Sequence, residues 1–148
     1  MEIKNLNKLI IAPHIDDEIL GCGGIIDNNT FVLYCGMDEA HIKDSWVLQR
    51  PSAESRMGEL KAAQNYLNFK YEILHNRVNR YQEIDLISSF ESYINNIKPD
   101  ILFIPCPSYN QDHRTVYNAS LVATRPHDIN FFVKKIFVYE QIQDIQWN

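Results

Sequence analysis

The sequence predicts an α/β fold in which a mostly parallel sheet is covered by helices on both faces. Short apolar runs that end at proline or glycine alternate with longer segments whose apolar residues recur at helical spacing. This alternation continues along the chain without a repeat, a low-complexity tract or a linker. Alternating strands and helices favour a parallel sheet, and 148 residues suffice for one domain with a core. We therefore expect a single domain over residues 1–148.

Five apolar runs are predicted to form the strands. Proline closes the first run at Pro13, and glycine closes the second at Gly36. The third run is shorter and less apolar than the others. The predicted strands are 8–12, 31–35, 71–74, 101–105 and 133–139.

Four segments between the strands are predicted to be helices, at 18–26, 52–67, 84–97 and 115–123. Ser52 is a candidate N-cap for the second helix, whose apolar residues share one face: Met57, Leu60, Ala63 and Leu67. Ligand sites of parallel sheets lie at the carboxyl ends of the strands. That rule selects four loops as candidates for an active site, at 13–24, 36–51, 75–82 and 106–114.

Composition restricts the classes of partner. Apolar residues make up 45% of the chain and the net charge is −5, with acids and bases interspersed, which argues against a nucleic-acid or anionic-membrane binder. No apolar run is long enough to span a membrane, and the first residues do not resemble a signal peptide. Three cysteines without CxxC spacing indicate reduced thiols. These features lead us to expect a cytoplasmic protein.

The loop after the first strand, in "IIAPHIDDEILGCGG" (10–24), combines late glycines with three acids and a histidine. Glycine-rich turns after a strand usually hold phosphate, but adjacent carboxylates repel a phosphate and favour a cation. His14 and Asp17 are spaced so that both side chains can reach one metal ion. Of the adjacent Asp16 and Asp17, one can bind the ion while the other remains free as a base. Glu18 is interpreted as a structural, solvated acid at a helix start.

The glycines of the same loop also have a predicted role. Gly21, Gly23 and Gly24 follow the acids directly. Because glycine lacks a Cβ, it permits close approach of backbone segments. We expect these three residues to let the following helix start close against the sheet.

A second candidate ligand follows the fourth predicted strand. His113 occupies a strand-end position like that of His14, and the two histidines with Asp17 make a His₂Asp set. Three protein ligands and a water are the norm for catalytic zinc; an ordinary histidine at a helix N-terminus is the alternative. Asp112 is predicted to orient His113 or another group of the site through a hydrogen bond.

One aromatic residue of the loop 36–51 is a candidate for substrate contact. Trp46 is a candidate platform for a sugar ring. The loop is long and polar, and a surface loop without a binding role explains it equally well.

Four segments together resemble the LmbE-like, or PIG-L, family of zinc-dependent N-acetyl-sugar deacetylases. "PHIDDEILGCGG" is similar to the family's first motif, and "NQDHRTVYNA" to its second. "ESRMGELKAAQNYL" resembles its Arg-x-x-Glu helix, and "ATRPHDINFFVKKIFVYE" its Arg-Pro stretch and later strand. The ordered set spans about residues 7–140. The resemblance implies a Rossmann-like three-layer αβα sandwich.

The resemblance also implies roles for individual residues. One Zn²⁺ per chain would be held by three side chains, those of His14, Asp17 and His113. Asp16 would be the general base that removes an acetyl group from an amino-sugar such as N-acetylglucosamine or its conjugate, and Arg56 would contact this substrate.

The chain departs from the family pattern in two places. Many members carry a histidine where this chain has Asn110, and an amide donates a hydrogen bond but is not an acid. We assign Asn110 to help stabilise the oxyanion. The chain also stops sooner than longer members, so the part that shapes their substrate site is expected to be reduced.

Two other functions are compatible with the sequence. One is a non-catalytic domain of the same fold that keeps the metal for stability or ligand binding; Asp16, which such a site does not need, argues against it. The other is a magnesium phosphohydrolase, and two histidines favour zinc instead. The expected partner is a small-molecule amino-sugar, and the sequence leaves room for a homo-oligomer.

Overall fold

A computed structural model of the protein describes residues 3–37, 52–125 and 133–141. The strands in these ranges are β1 (Lys8–Ala12), β2 (Thr30–Gly36), β3 (Lys70–Asn76), β4 (Ile101–Pro105) and β5 (Lys135–Tyr139). They form one sheet in the order β3-β2-β1-β4-β5, and every neighbouring pair is parallel. The predicted parallel α/β fold is therefore confirmed.

The helices in the described ranges are α1 (Asp17–Cys22), α2 (Ala53–Leu67), α3 (Glu83–Ile97) and α4 (Gln111–Ala123). Ser52 caps α2 as predicted, since its Oγ accepts a hydrogen bond from the backbone N–H of Ser55 at 3.1 Å. α1 ends earlier than predicted because the chain tightens into a 3₁₀ turn at Gly23–Ile25.

The start of α4 also differs from the prediction. α4 begins at Gln111 because Asn110 caps it: the Oδ1 atom of Asn110 accepts a hydrogen bond from the backbone N–H of Asp112 at 2.8 Å. The helix therefore extends further toward the sheet than expected. As a result, His113 lies in the first turn of a helix instead of in the preceding loop.

Both faces of the sheet are covered. On one face, Leu9 and Ile11 of β1 pack in a cluster with α3 and α4. On the other face, Ile10 and Ala12 pack in a cluster with α1 and α2. Alternate residues of a strand point to opposite faces, so a central strand between two helix layers presents apolar residues to both of them. The arrangement is the expected three-layer sandwich.

Of the three glycines after the acidic loop, Gly21 has a packing role. A Cβ atom on Gly21 would lie within 2.9 Å of three ring carbons of Tyr139, at the end of β5. A Cβ on Gly23 would meet its nearest neighbour at 3.8 Å, and one on Gly24 would meet nothing within 4 Å. The prediction of close approach is correct for Gly21 and wrong for the other two. The contact between Gly21 and the ring of Tyr139 packs β5 against α1.

The amino end of the sheet contains a buried lysine. The side chain of Lys8 is buried, and its Nζ lies 2.9 Å from the carboxylate of Asp27. It also donates to the carbonyl of Leu6 at 3.2 Å. The backbone N–H of Asn29 and the hydroxyl of Thr30 donate to the same Asp27 carboxylate. The lysine charge is thus balanced by one carboxylate that is itself held in place.

Two predictions made from composition can be compared with the structure. The three cysteines are thiols and not disulfides, as expected: Cys22 and Cys35 are buried and Cys106 is partly buried. Among the described residues, no helix combines the length and apolar character that a membrane span requires.

Candidate active site

The loops after β1 and β4 meet where the strand order reverses. β1 lies between β2 and β4 in the sheet, so the chain leaves the neighbouring carboxyl ends of β1 and β4 in different directions. A crevice forms at such a point, and it is where open α/β sheets bind ligands. The β1 loop carries His14 and leads into α1 at Asp17, while the β4 loop leads into α4 with His113.

The structure brings His14, Asp17 and His113 together. Each offers one ligand atom, and these three atoms lie within 4.8 Å of one another. The Oδ2 atom of Asp17 is 3.4 Å from Nδ1 of His14 and 3.4 Å from Nε2 of His113. Donor atoms bound at about 2.1 Å to one tetrahedral ion are about 3.4 Å apart. The donor set and its spacing therefore fit a metal ion held by two imidazoles and one carboxylate.

Asp112 holds the ring of His14. Its Oδ2 atom lies 2.9 Å from Nε2 of His14 and accepts a hydrogen bond from the backbone N–H of Asn79 at 2.7 Å. Asp112 is buried, so the carboxylate has little competition from water. A histidine whose outer nitrogen donates to a carboxylate presents its other nitrogen as a ligand. Asp112 was predicted to orient either His113 or another group of the site, and the structure shows its contact with His14.

Hydrogen bonds between the candidate ligands change their pKa values. Burial alone would lower the pKa of His14, but hydrogen bonds to Asp112 and Asp17 outweigh it and raise the pKa to about 9. Burial would raise the pKa of Asp17, but hydrogen bonds from His113 and His14 hold it well below its usual range. In the metal-free protein, the protonated ring of His14 therefore carries a positive charge that partly balances the neighbouring carboxylates.

Asp16 is held apart from this cluster by a strained backbone. Its φ of 118° lies in the left-handed region, which non-glycine residues rarely adopt. The carboxylate of Glu18 stabilises this conformation by accepting a hydrogen bond from the Asp16 N–H at 3.0 Å. Glu18 has a structural position as predicted, but the expectation of a solvated acid is wrong, because the side chain is buried. Burial and the charge of Asp17 raise the pKa of Asp16, against the opposing effect of Arg56.

Arg56 contacts the candidate base. Its Nη1 atom lies 3.0 Å from Oδ2 of Asp16 and 3.3 Å from Oε2 of Glu59, one turn along α2. The helix α2 thus brings a cation from one face of the sheet to the β1 loop. The predicted contact of Arg56 with substrate stays a prediction, and the structure adds a contact with Asp16.

Asn110 and Trp46 complete the set of predicted residues. The Oδ1 atom of Asn110 is used in capping α4, so the side-chain NH₂ is the group with which this residue can donate to a substrate oxygen. Its proposed contact with an oxyanion stays a prediction. Trp46 lies outside the described residues.

Gln141 is a residue of the site that sequence reasoning missed. It is buried two residues after the end of β5, and its Nε2 donates to Oδ1 of Asp17. Tyr81 was also missed; its hydroxyl donates to the carbonyl of Pro13 at 2.7 Å and supports the turn before His14. The position of Gln141 at the carboxyl end of a strand was an available signal.

The fold and the cluster together define a parallel α/β protein with a candidate metal centre at the carboxyl edge of its sheet. The family described as "PIG-L: GlcNAc-PI de-N-acetylase" matches residues 9–124. This match covers more than half of the chain, so the chain belongs to that family. Comparison with curated protein sequences gave no match.

Three solved structures show the same fold at low identity. A deacetylase triple mutant (Orf2*T) of the teicoplanin biosynthetic pathway is 20% identical, with a TM-score of 0.72 over 96% of this chain and 67% of that one. GalB, the 4-carboxy-2-hydroxymuconate hydratase of Pseudomonas putida KT2440, is 17% identical, with a TM-score of 0.65 over 80% and 56%. The N,N'-diacetylchitobiose deacetylase of Pyrococcus horikoshii is 19% identical, with a TM-score of 0.60 over 86% and 54%. The chain therefore spans between 54% and 67% of the length of these structures.

Proposed function

We propose that this chain is a zinc-dependent hydrolase that removes an acetyl group from the amide nitrogen of an N-acetylated amino-sugar or its conjugate. The observation that carries the proposal is the cluster of His14, Asp17 and His113 beside a carboxylate, Asp16, that is not part of it. Three convergent ligands next to a separately held base are what metal-assisted hydrolysis requires.

The donor set favours zinc. Two imidazole nitrogens and one carboxylate oxygen, from His14, His113 and Asp17, suit zinc better than magnesium, which prefers oxygen ligands alone. A zinc ion bound there would lower the pKa of a water molecule and polarise the amide carbonyl.

Asp16 is proposed as the general base and acid. Burial and its neighbour Asp17 raise the pKa of Asp16, which brings it closer to the range where a carboxylate exchanges protons during catalysis. Asp16 takes a proton from the water that attacks the carbonyl and returns it to the amine that leaves. Its ion pair with Arg56 and the hydrogen bond from its backbone to Glu18 hold the carboxylate in place for both transfers.

Two further residues support the reaction. Asp112 fixes the ring of His14 through Nε2, so that Nδ1 remains directed at Asp17 and the cluster. The NH₂ group of Asn110, at the start of α4, is proposed to donate to the carbonyl oxygen as negative charge develops there. An amide cannot give up a proton at neutral pH, which leaves protonation of the amine to Asp16.

The class of substrate rests on the comparisons. The description of the matching family names an acetylated glucosamine, and two of the solved structures described above are deacetylases, one of them acting on diacetylchitobiose. The hydratase neighbour shows that the fold also occurs with a different reaction. The proposal therefore commits to the amide of an amino-sugar and leaves the rest of the substrate to experiment.

A non-catalytic domain that binds metal for stability is the competing function. The structure provides an observation against it: Asp16 keeps a strained φ of 118° and two dedicated partners without belonging to the cluster. A site used for stability alone gains nothing from that strain, which is a feature of functional sites.

An amine-release assay tests the proposal. Protein stripped of metal and reloaded with one equivalent of Zn²⁺ is incubated with N-acetylglucosamine and with its nucleotide-linked and lipid-linked conjugates. We expect free amine from at least one of them, loss of activity on chelation and recovery on addition of zinc. His113→Ala should lose both bound zinc and activity. Zinc bound at one equivalent with no amine released from any acetylated sugar would instead support the binding domain.

A further inference from the structure

We propose that Gln141 is a positioning residue that holds the metal-binding carboxylate of Asp17 in its productive orientation. This inference rests on the metal-binding role of Asp17 in the proposed function. Its basis is one contact: the buried side-chain amide of Gln141 donates from Nε2 to Oδ1 of Asp17, across a separation of 124 residues.

The two oxygens of Asp17 have separate partners. Oδ1 accepts from Gln141. Oδ2 accepts from the backbone N–H of His14 at 2.8 Å and faces the side chains of His14 and His113, each at 3.4 Å. A carboxylate held at both oxygens cannot rotate about its Cβ–Cγ bond, so Oδ2 stays directed at the two imidazoles. Partners outside the ligand set commonly fix the orientation of ligands in this way.

Gln141 is itself held by contacts at the end of β5. The hydroxyl of Tyr139 donates to the carbonyl of Ile11 at 2.9 Å, and its ring lies against Gly21. The carbonyl of Tyr139 accepts from the N–H of Cys106 at 2.8 Å. These contacts join β5 to β1, which precedes His14, to α1, which contains Asp17, and to the loop that leads into α4 with His113. The position of Gln141 relative to Asp17 is therefore fixed by the fold.

The chemistry of an amide suits this position. A lysine or arginine there would neutralise the carboxylate and compete with a metal ion for its charge. The amide of Gln141 satisfies Oδ1 with a hydrogen bond and leaves the full negative charge of Asp17 available. Because Oδ1 is engaged, the arrangement favours binding of a metal through Oδ2 alone, which preserves open positions around the ion.

Zinc affinity of two variants tests the inference. Gln141→Met removes the donor at similar volume, and Gln141→Asn keeps the amide but is too short by one methylene to reach Asp17. Glu140→Gln is the matched control, because its side chain is exposed and adjacent in sequence. The dissociation constant for Zn²⁺ is measured by competition with a chromophoric chelator, and the melting temperature of each metal-free protein is measured alongside.

We expect both Gln141 variants to bind zinc roughly 10- to 100-fold more weakly than wild type, while Glu140→Gln binds normally. Affinity equal to that of the control in either folded variant overturns the inference and leaves the proposed function intact. A wild-type protein that binds no zinc overturns the proposed metal site itself. Should neither variant fold, the side-chain amide resonance of Gln141 in wild type decides: a signal shifted downfield and protected from exchange is expected, and a solvent-like signal refutes the contact.

Discussion

The two ends of the central strand β1 treat buried charge differently. At the amino end, the Nζ atom of Lys8 lies 2.9 Å from the carboxylate of Asp27, and one charge balances the other. At the carboxyl end, the acids outnumber the groups that can balance them. Asp17, Glu18 and Asp112 are buried and Asp16 is partly buried, beside three cationic or titratable side chains, those of His14, His113 and Arg56. A buried charge with a partner of opposite sign beside it has a structural role. An excess of buried negative charge instead indicates a site for a cation.

The largest expected effect comes from removing the carboxylate that takes no part in the cluster. Asp16→Asn keeps the shape of the side chain but cannot accept a proton. We expect kcat/KM for amide hydrolysis to fall by roughly 10²- to 10⁴-fold, the usual contribution of a general base. Zinc content should stay at the wild-type level, because the ligand set of His14, Asp17 and His113 is untouched.

Glu59 provides the matched control for this variant. Glu59 is exposed and contacts the same Nη1 atom of Arg56 as Asp16 does. Glu59→Gln therefore changes the surroundings of Arg56 without touching the β1 loop, and its activity should remain near that of wild type. A zinc-loaded Asp16→Asn protein with full activity would exclude Asp16 as the base and would make the carboxyl end a simple binding site.

Alkaline pH should weaken the metal-free protein at its carboxyl end. The pKa of His14 is raised from 6.5 to about 9 in the folded state, so the protonated ring stabilises the fold fully below about pH 6.5. That contribution is lost as pH rises from 6.5 through 9, and it amounts to at most about 3 kcal/mol. Urea unfolding of metal-free protein between pH 6 and pH 9.5 measures the loss.

The ion pair at the amino end of β1 should lose its contribution to stability at acid pH instead of alkaline pH. Although burial opposes it, hydrogen bonding to Lys8 lowers the pKa of Asp27, so stability from this pair is present above the unfolded pKa and lost in acid. His14→Gln should therefore flatten the alkaline decline. It should also remove part of the stability that is lost in acid, because a hydrogen bond from His14 helps to hold the pKa of Asp17 below its usual range. An alkaline decline that persists in His14→Gln would contradict the assignment.

The sequence predicted the architecture because local features determine it. Pro13 ends β1, Ser52 caps α2, and apolar runs alternate with amphipathic segments, all within a few residues of the element concerned. The convergence of His14 and His113 was also predictable, since both follow strands of a parallel sheet. This one topological rule places two residues that are distant in the sequence at the same edge of the sheet.

The contacts that tune the site could not be predicted, because each depends on packing between distant segments. Gln141 contacts Asp17 from the end of β5, where Tyr139 packs against Gly21. The partner of Asp112 is His14, a choice that depends on how deeply α4 enters the crevice, and the Asn110 cap determines where α4 begins. Spacing in the sequence identifies candidate side chains but does not tell which atom of each one is already engaged.

The smallest effect is expected at the amino end, where charge is balanced. Asp27→Asn keeps hydrogen bonding to Asn29 and Thr30 within reach but leaves the buried Lys8 without a carboxylate. Loss of one hydrogen bond between charged groups should lower the free energy of unfolding by about 2 kcal/mol. Glu72→Gln, at an exposed position of β3, is the control and should leave stability unchanged.

Zinc affinity and amide hydrolysis should be those of wild type in both variants, because the ion pair lies at the opposite end of β1 from the cluster. A weaker zinc affinity in Asp27→Asn would show that the two ends of the strand are coupled, and the excess of acid at the carboxyl end could then no longer be treated as a property of the site alone.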